Sequence, residues 1–108
     1  MRAAICSAAL ALAAAAVGSP AAAQDAAAGK ARAVACAVCH GQNGLSIQPD
    51  VPSLAGQPVP YLVAQLRAFR SGTRKNEVMA VMAQPLSDDD IQNLAAWFSA
   101  IRVEATPP

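Results

Sequence analysis

Cys36-Ala37-Val38-Cys39-His40 restricts the fold of this chain more tightly than any other stretch of its 108 residues. Two cysteines with two residues between them, followed at once by histidine, make the C-x-x-C-H pattern of covalent c-type haem attachment. The spacing has a chemical reason. The two thiols must reach the two vinyl groups of one porphyrin, and the next side chain must then reach its iron. On this reading Cys36 and Cys39 form the thioethers and His40, the single histidine of the chain, is the proximal axial ligand. A chain so committed has to wrap its remaining residues around a rigid apolar disc.

Other uses of the same residues are weaker. A bare C-x-x-C serves as a redox disulfide in thioredoxin-like proteins, but there it follows a strand of an α/β unit, and no alternating strand pattern precedes Cys36. A structural zinc site needs four ligands. Only Cys6 remains as a further thiol, and it falls in the expected leader.

That leader begins Met1-Arg2, runs almost without polar residues from Ala3 to Val17, and passes through Gly18-Ser19-Pro20 to Ala21-Ala22-Ala23. A charged start, an apolar stretch and a small-residue cleavage site read as a secretory signal peptide over residues 1–23, with cleavage after Ala23 and a single domain over 24–108. The apolar run is short for a membrane span of about 20 residues and is closed by Gly18 and Pro20, so stable membrane insertion is not expected. Export agrees with the motif, because haem c is attached outside the cytoplasm, where two spare cysteines would otherwise close into a disulfide. The alanine-rich leader points to a bacterial periplasm.

The chain has eight basic and seven acidic side chains, and setting aside Arg2 leaves seven of each. With no basic excess and no interleaved aromatics, nucleic-acid binding has no support. Much of the apolar content is alanine, which buries little surface, so a domain this short has a marginal core of its own. A covalently held haem would complete it.

The helix pattern is legible. Asp25 to Val38 is dense in alanine, the best helix former, with Asp25 placed to cap or open the helix. Gly29 costs about 1 kcal/mol within it and calls for a packing reason, such as a close helix crossing. From His40 to Pro60, Gly41, Gly44, Pro49, Pro52, Gly56 and Pro58 break any regular element. Gly41 and Gly44 suit either a close backbone approach to the porphyrin or a turn. Leu62, Leu66 and Phe69 then recur at helical spacing, with Arg67, Arg70 and Arg74 on another face, until Gly72 stops the helix. Ser87 and Asp90 are spaced as a capping box, ahead of an apolar face of Ile91, Leu94, Ala95, Phe98 and Ile101.

These pieces together resemble a small bacterial class I cytochrome c. The resemblance rests on Gly29-Lys30, the C-x-x-C-H run with Gly41, Pro52-Ser-Leu-Ala-Gly-Gln57, Tyr61-Leu62, Gln65-Leu66, Phe69, Met79, Leu86-Ser-Asp88 and Leu94-Ala-Ala-Trp97-Phe98. It covers Asp25 to Arg102 and is nearest to the branch that supplies the halves of di-haem periplasmic cytochromes. It implies an all-α fold, with three main helices and loops wrapped around one covalently bound haem c, and a crossing of the first and last helices at Gly29 and Trp97. One C-x-x-C-H implies one haem.

Both Met79 and Met82 lie between the second and last helices, and at i and i+3 of a local helix geometry does not separate them. The resemblance places the distal ligand at Met79, seven residues before Leu86, with Met82 as the alternative. It also assigns the backbone carbonyl of Pro52 as acceptor for the ring N–H of His40. Arg67, Arg70, Arg74 and Lys75 suit a docking patch, partners for the haem propionates, or a solvated helix face.

The expected function is periplasmic transfer of single electrons between redox protein partners, a donor and an acceptor, by a His/Met-ligated carrier that is not an enzyme. Two other readings stay open at this stage. One is a haem c peroxidase or gas sensor with an open sixth site. The other is a fixed cytochrome subunit of a periplasmic dehydrogenase or oxidase.

Overall fold

The alanine-dense stretch coils into α1, Ala26–His40, with Asp25 as its N-cap. The carboxylate of Asp25 accepts the N–H groups of Ala27 and Ala28 at 2.9 and 3.1 Å, satisfying donors that a helix start leaves unpaired. The computed structural model describes residues 24–108 and Ala15. The leader expected over 1–23, its cleavage point and Cys6 lie outside the described residues, that one alanine apart. Helix α2 spans Val59–Ser71 and ends at Gly72, which takes a left-handed φ of 79°. Helix α4, Asp88–Ala100, opens with the expected capping box: Asp90 N–H donates to Ser87 Oγ and Ser87 N–H to the Asp90 carboxylate, both at 3.0 Å. Between α2 and α4 stands a short helix, α3, Glu77–Ala83, capped by Asn76 through the N–H of Met79 at 2.9 Å. No strand occurs among the described residues.

The core forms where the apolar stripe of α4 meets α1 and α2. Ile91, Leu94, Ala95 and Phe98 are buried there with Ala33 of α1 and with Leu62 and Val63 of α2. Each fully buried Ile or Leu contributes about 1.5–3 kcal/mol relative to its exposed state, so Ile91 and Leu94 anchor α4. Leu66 and Phe69, on the apolar face expected for α2, are only half-buried. They border a cavity rather than another helix.

Gly29 is where α1 and α4 cross. A Cβ at this position would run into the backbone carbonyl of Asn93 and come within 2.9 Å of Trp97 Cβ. The glycine's propensity cost is therefore the condition for a close crossing, and the main-chain carbonyl of Asn93 limits it more than the aromatic ring does. Polar contacts fix the register of the pair. Asp25 N–H donates to Asn93 Oδ1 at 2.8 Å, Arg32 pairs with Asp90, and Lys30 Nζ lies 5.4 Å from the centre of the Trp97 ring.

The glycine- and proline-rich segment between α1 and α2 is pinned by its own backbone. Gly44 C=O accepts from Leu54 N–H at 2.7 Å and Ala55 N–H at 3.0 Å, and Gly56 N–H donates to Phe98 C=O at 2.9 Å. Gly44 has φ 71°, and a Cβ there would sit 2.8 Å from Phe98 Cδ1. A Cβ on Gly41, at φ 87°, would run into the Leu45 carbonyl, so Gly41 serves the turn itself, while Gly44 serves the packing of the turn on α4.

Candidate functional site

His40 is the last residue of α1 and is buried. Its Nδ1 lies 2.7 Å from the carbonyl oxygen of Pro52. A carbonyl can only accept, so Nδ1 carries the proton and Nε2 is left as a free lone-pair donor. The helix brings Cys36 and Cys39 to the same side of α1, at i−4 and i−1 from His40. Cys36 is half-buried and burial pushes its thiol above the usual cysteine range, while Cys39 is exposed. All three side chains border one cavity of about 500 Å3.

The remainder of that cavity is largely apolar, with Leu54, Leu62, Leu66, Phe69 and Phe98 in its walls. Met79 and Met82 of α3 complete it. Helices α1 and α3 make no contact with each other, because the cavity lies between them. Helix α3 is held instead by α2. The structure thus gathers the residues that the sequence offered for haem attachment, axial ligation and support of the imidazole: the thiols and imidazole on α1, the Pro52 carbonyl behind the imidazole, and the two thioethers on α3. Met79 is half-buried and Met82 is 38% exposed, a difference that helical spacing could not supply.

This donor set fits a haem. The volume falls within the range of about 300–1,000 Å3 typical of small-molecule and cofactor pockets. An imidazole with its tautomer fixed, two thiols one helical turn apart and a soft thioether from another helix are the groups that haem c attachment and axial ligation use. No helix among the described residues is long and apolar enough to cross a membrane.

The four cations between Gln65 and Asn76 do not behave as one face. Arg67 and Arg70 reach Asp88 at 3.5 and 2.7 Å, and Arg70 Nη1 also donates to Leu86 C=O at 2.9 Å. These guanidinium groups hold the Asp88 carboxyl below the usual carboxylate range. Arg74 lies beyond Gly72 and borders the cavity. Its separation from the other two follows from the helix stop at Gly72, which was readable in the sequence.

Residues 26–101 match the family described as Cytochrome c. The chain is 43% identical over 77 residues to cytochrome c-554(548) of Halomonas halodenitrificans, covering 68% of this chain and 93% of that protein. It is 42% identical over 74 residues to the thiosulfate dehydrogenase electron acceptor of Stutzerimonas stutzeri, covering 66% of this chain and 34% of that one. Its fold superposes on the crystal structure of reduced cytochrome c4 from Pseudomonas stutzeri with a TM-score of 0.70 at 39% identity, over 74% of this chain and 47% of the other. The chain thus spans nearly all of the first relative but less than half of the other two. With the family match over its helical core and the haem-type donor set in one cavity, this chain belongs to the cytochrome c family, all-α class I electron-transfer domains that carry covalently bound haem c.

Proposed function

We propose that this chain is an exported, periplasmic mono-haem carrier that passes single electrons between a donor and an acceptor protein. Cys36 and Cys39 hold the haem through thioethers, His40 is the proximal ligand and Met79 the distal one, with Met82 as the alternative. When bound, the haem supplies a one-electron Fe(III)/Fe(II) couple. The chain's residues set the conditions for it. The Pro52 carbonyl accepts from Nδ1 and so raises the basicity of Nε2 and fixes the ring plane. Leu62, Leu66, Phe69 and Phe98 exclude water from the cavity and lower its dielectric.

The observation that carries this reading is the placement of His40 and Met79 on two helices that meet only across the shared cavity. A site closed on both sides by protein ligands favours electron transfer over ligand chemistry, so the chain acts as a carrier rather than an enzyme. Residues 1–23 are its cleaved leader and 24–108 the working domain. Its partners are redox proteins engaged through small, transient contacts, and the name of the Stutzerimonas relative supports a dehydrogenase as the donor class.

The assignment is tested by comparing Met79→Ala with Met82→Ala in the exported holoprotein. Met79→Ala is expected to abolish the sulfur-to-iron charge-transfer band and lower the midpoint potential, while Met82→Ala keeps the band. The reverse pattern moves the ligand to Met82. Absence of the band from the parent protein rejects methionine ligation.

A further inference from the structure

Arg74 is held in a way that its neighbours are not. Following the left-handed Gly72, its N–H donates to Ala68 C=O at 3.1 Å. Its guanidinium lies 4.6 Å from the centre of the Phe69 ring, and its Nη1 donates to Gln65 Oε1 at 2.7 Å. Gln65, Phe69 and Arg74 all border the haem-type cavity, whereas Arg67, Arg70 and Lys75 do not. Arg67 and Arg70 already have a carboxylate in Asp88. Arg74 has none among the described residues, and its Nε and Nη2 find no acceptor there.

A planar guanidinium, stacked on one face and steadied at one nitrogen, presents its remaining donors in a fixed fork, the geometry that matches a carboxylate. The group this cavity fits brings two carboxylates of its own. They project from a different edge of the macrocycle than the vinyl groups taken by Cys36 and Cys39 on α1. We propose that Arg74, stacked on Phe69 and held by Gln65, is a positioning residue that pairs with a propionate of the haem. This rests on the haem reading above and adds the residue that orients the far edge of the disc. Pairing also offsets a negative charge close to the iron, which otherwise favours the oxidised state. The other titratable side chains bordering the cavity are Cys36, Cys39, His40, Asp50 and Tyr61, and the substitutions below leave them in place.

The test uses exported holoprotein whose covalent haem has first been verified by its absorption spectrum. Failure at that step contradicts the haem reading, not this one. Arg74→Gln, Arg74→Lys and, for comparison, Arg70→Gln are then examined by resonance Raman spectroscopy and redox titration at one pH. Arg74→Gln is expected to shift the propionate bending band and to raise the oxidised-to-reduced ratio at a fixed ambient potential severalfold. Arg74→Lys keeps the charge but not the fork, so the band shifts while the ratio stays within about twofold. Arg70→Gln leaves the band unmoved. An Arg74→Gln protein with the parent's band and potential overturns the proposal. Should that variant fail to accumulate, an unshifted band in Arg74→Lys overturns it instead.

Discussion

The Nδ1 atom of His40 and the carbonyl oxygen of Pro52 stand 2.7 Å apart, twelve residues from each other in sequence. This contact joins the end of α1 to the later part of the loop that leads to α2. It also sets the tautomer of the ring and therefore which nitrogen is free for a metal. The acceptor is a main-chain oxygen, so a side-chain substitution at position 52 does not delete it.

Pro52→Ala consequently separates two roles of the proline. The carbonyl remains, and the midpoint potential should change little. The loop gains freedom in the unfolded state, which lowers stability by about 0.4–1 kcal/mol. Denaturant unfolding and redox titration of the same sample check both parts. A large fall in potential would mean that the rigid ring of the proline is needed to aim the carbonyl.

Gly29→Ala sets two effects against each other. Alanine gains about 1 kcal/mol of helix propensity. Its Cβ would meet the Asn93 carbonyl and Trp97 Cβ, both on α4, and overpacking of this kind costs about 1–3 kcal/mol. Because one obstacle is backbone, which cannot rotate away, the clash should win. The holoprotein is expected to lose stability in denaturant unfolding, and a gain would show that α1 and α4 cross less closely.

Asp90 is the acid-sensitive member of the α4 cap. Arg32, and the N–H of Ser87, hold its carboxyl down from 3.8 to about 2. A pKa lower in the folded than in the unfolded chain contributes stability that is fully present above about pH 4 and is lost as pH falls through about 2. Asp90→Asn should cost about 1 kcal/mol at neutral pH, the modest figure expected of a partly exposed pair. The difference between the two proteins should shrink between pH 4 and pH 2, as measured by the denaturation midpoint at each pH. A difference that does not vary with pH would remove the ion pair from the explanation.

The legibility of the fold varied with the range of the interactions involved. The Ser87–Asp90 capping box is local and was readable as a spacing. Gly29 was readable as an anomaly, but its main obstacle, the Asn93 carbonyl, belongs to a helix more than sixty residues away. Helix α3 was not readable as a regular element, since the seven residues from Glu77 to Ala83 are too few to display a full periodic face. Its cap at Asn76 was the available signal. The site itself was the most legible part, because C-x-x-C-H encodes a covalent geometry within five residues. Helical spacing did not separate Met79 from Met82, and only the resemblance favoured Met79; the helix stop at Gly72 was readable, but the stacking of Arg74 on Phe69 was not.

The central claim is a closed His/Met iron in an electron carrier. It is tested most directly by visible and near-infrared absorption of the purified, exported protein, oxidised and reduced, with and without carbon monoxide. The account predicts a sulfur-to-iron charge-transfer band in the oxidised form and no response of the reduced form to carbon monoxide. A high-spin spectrum that shifts when carbon monoxide is added would contradict it, and would indicate an open iron suited to sensing or peroxide chemistry.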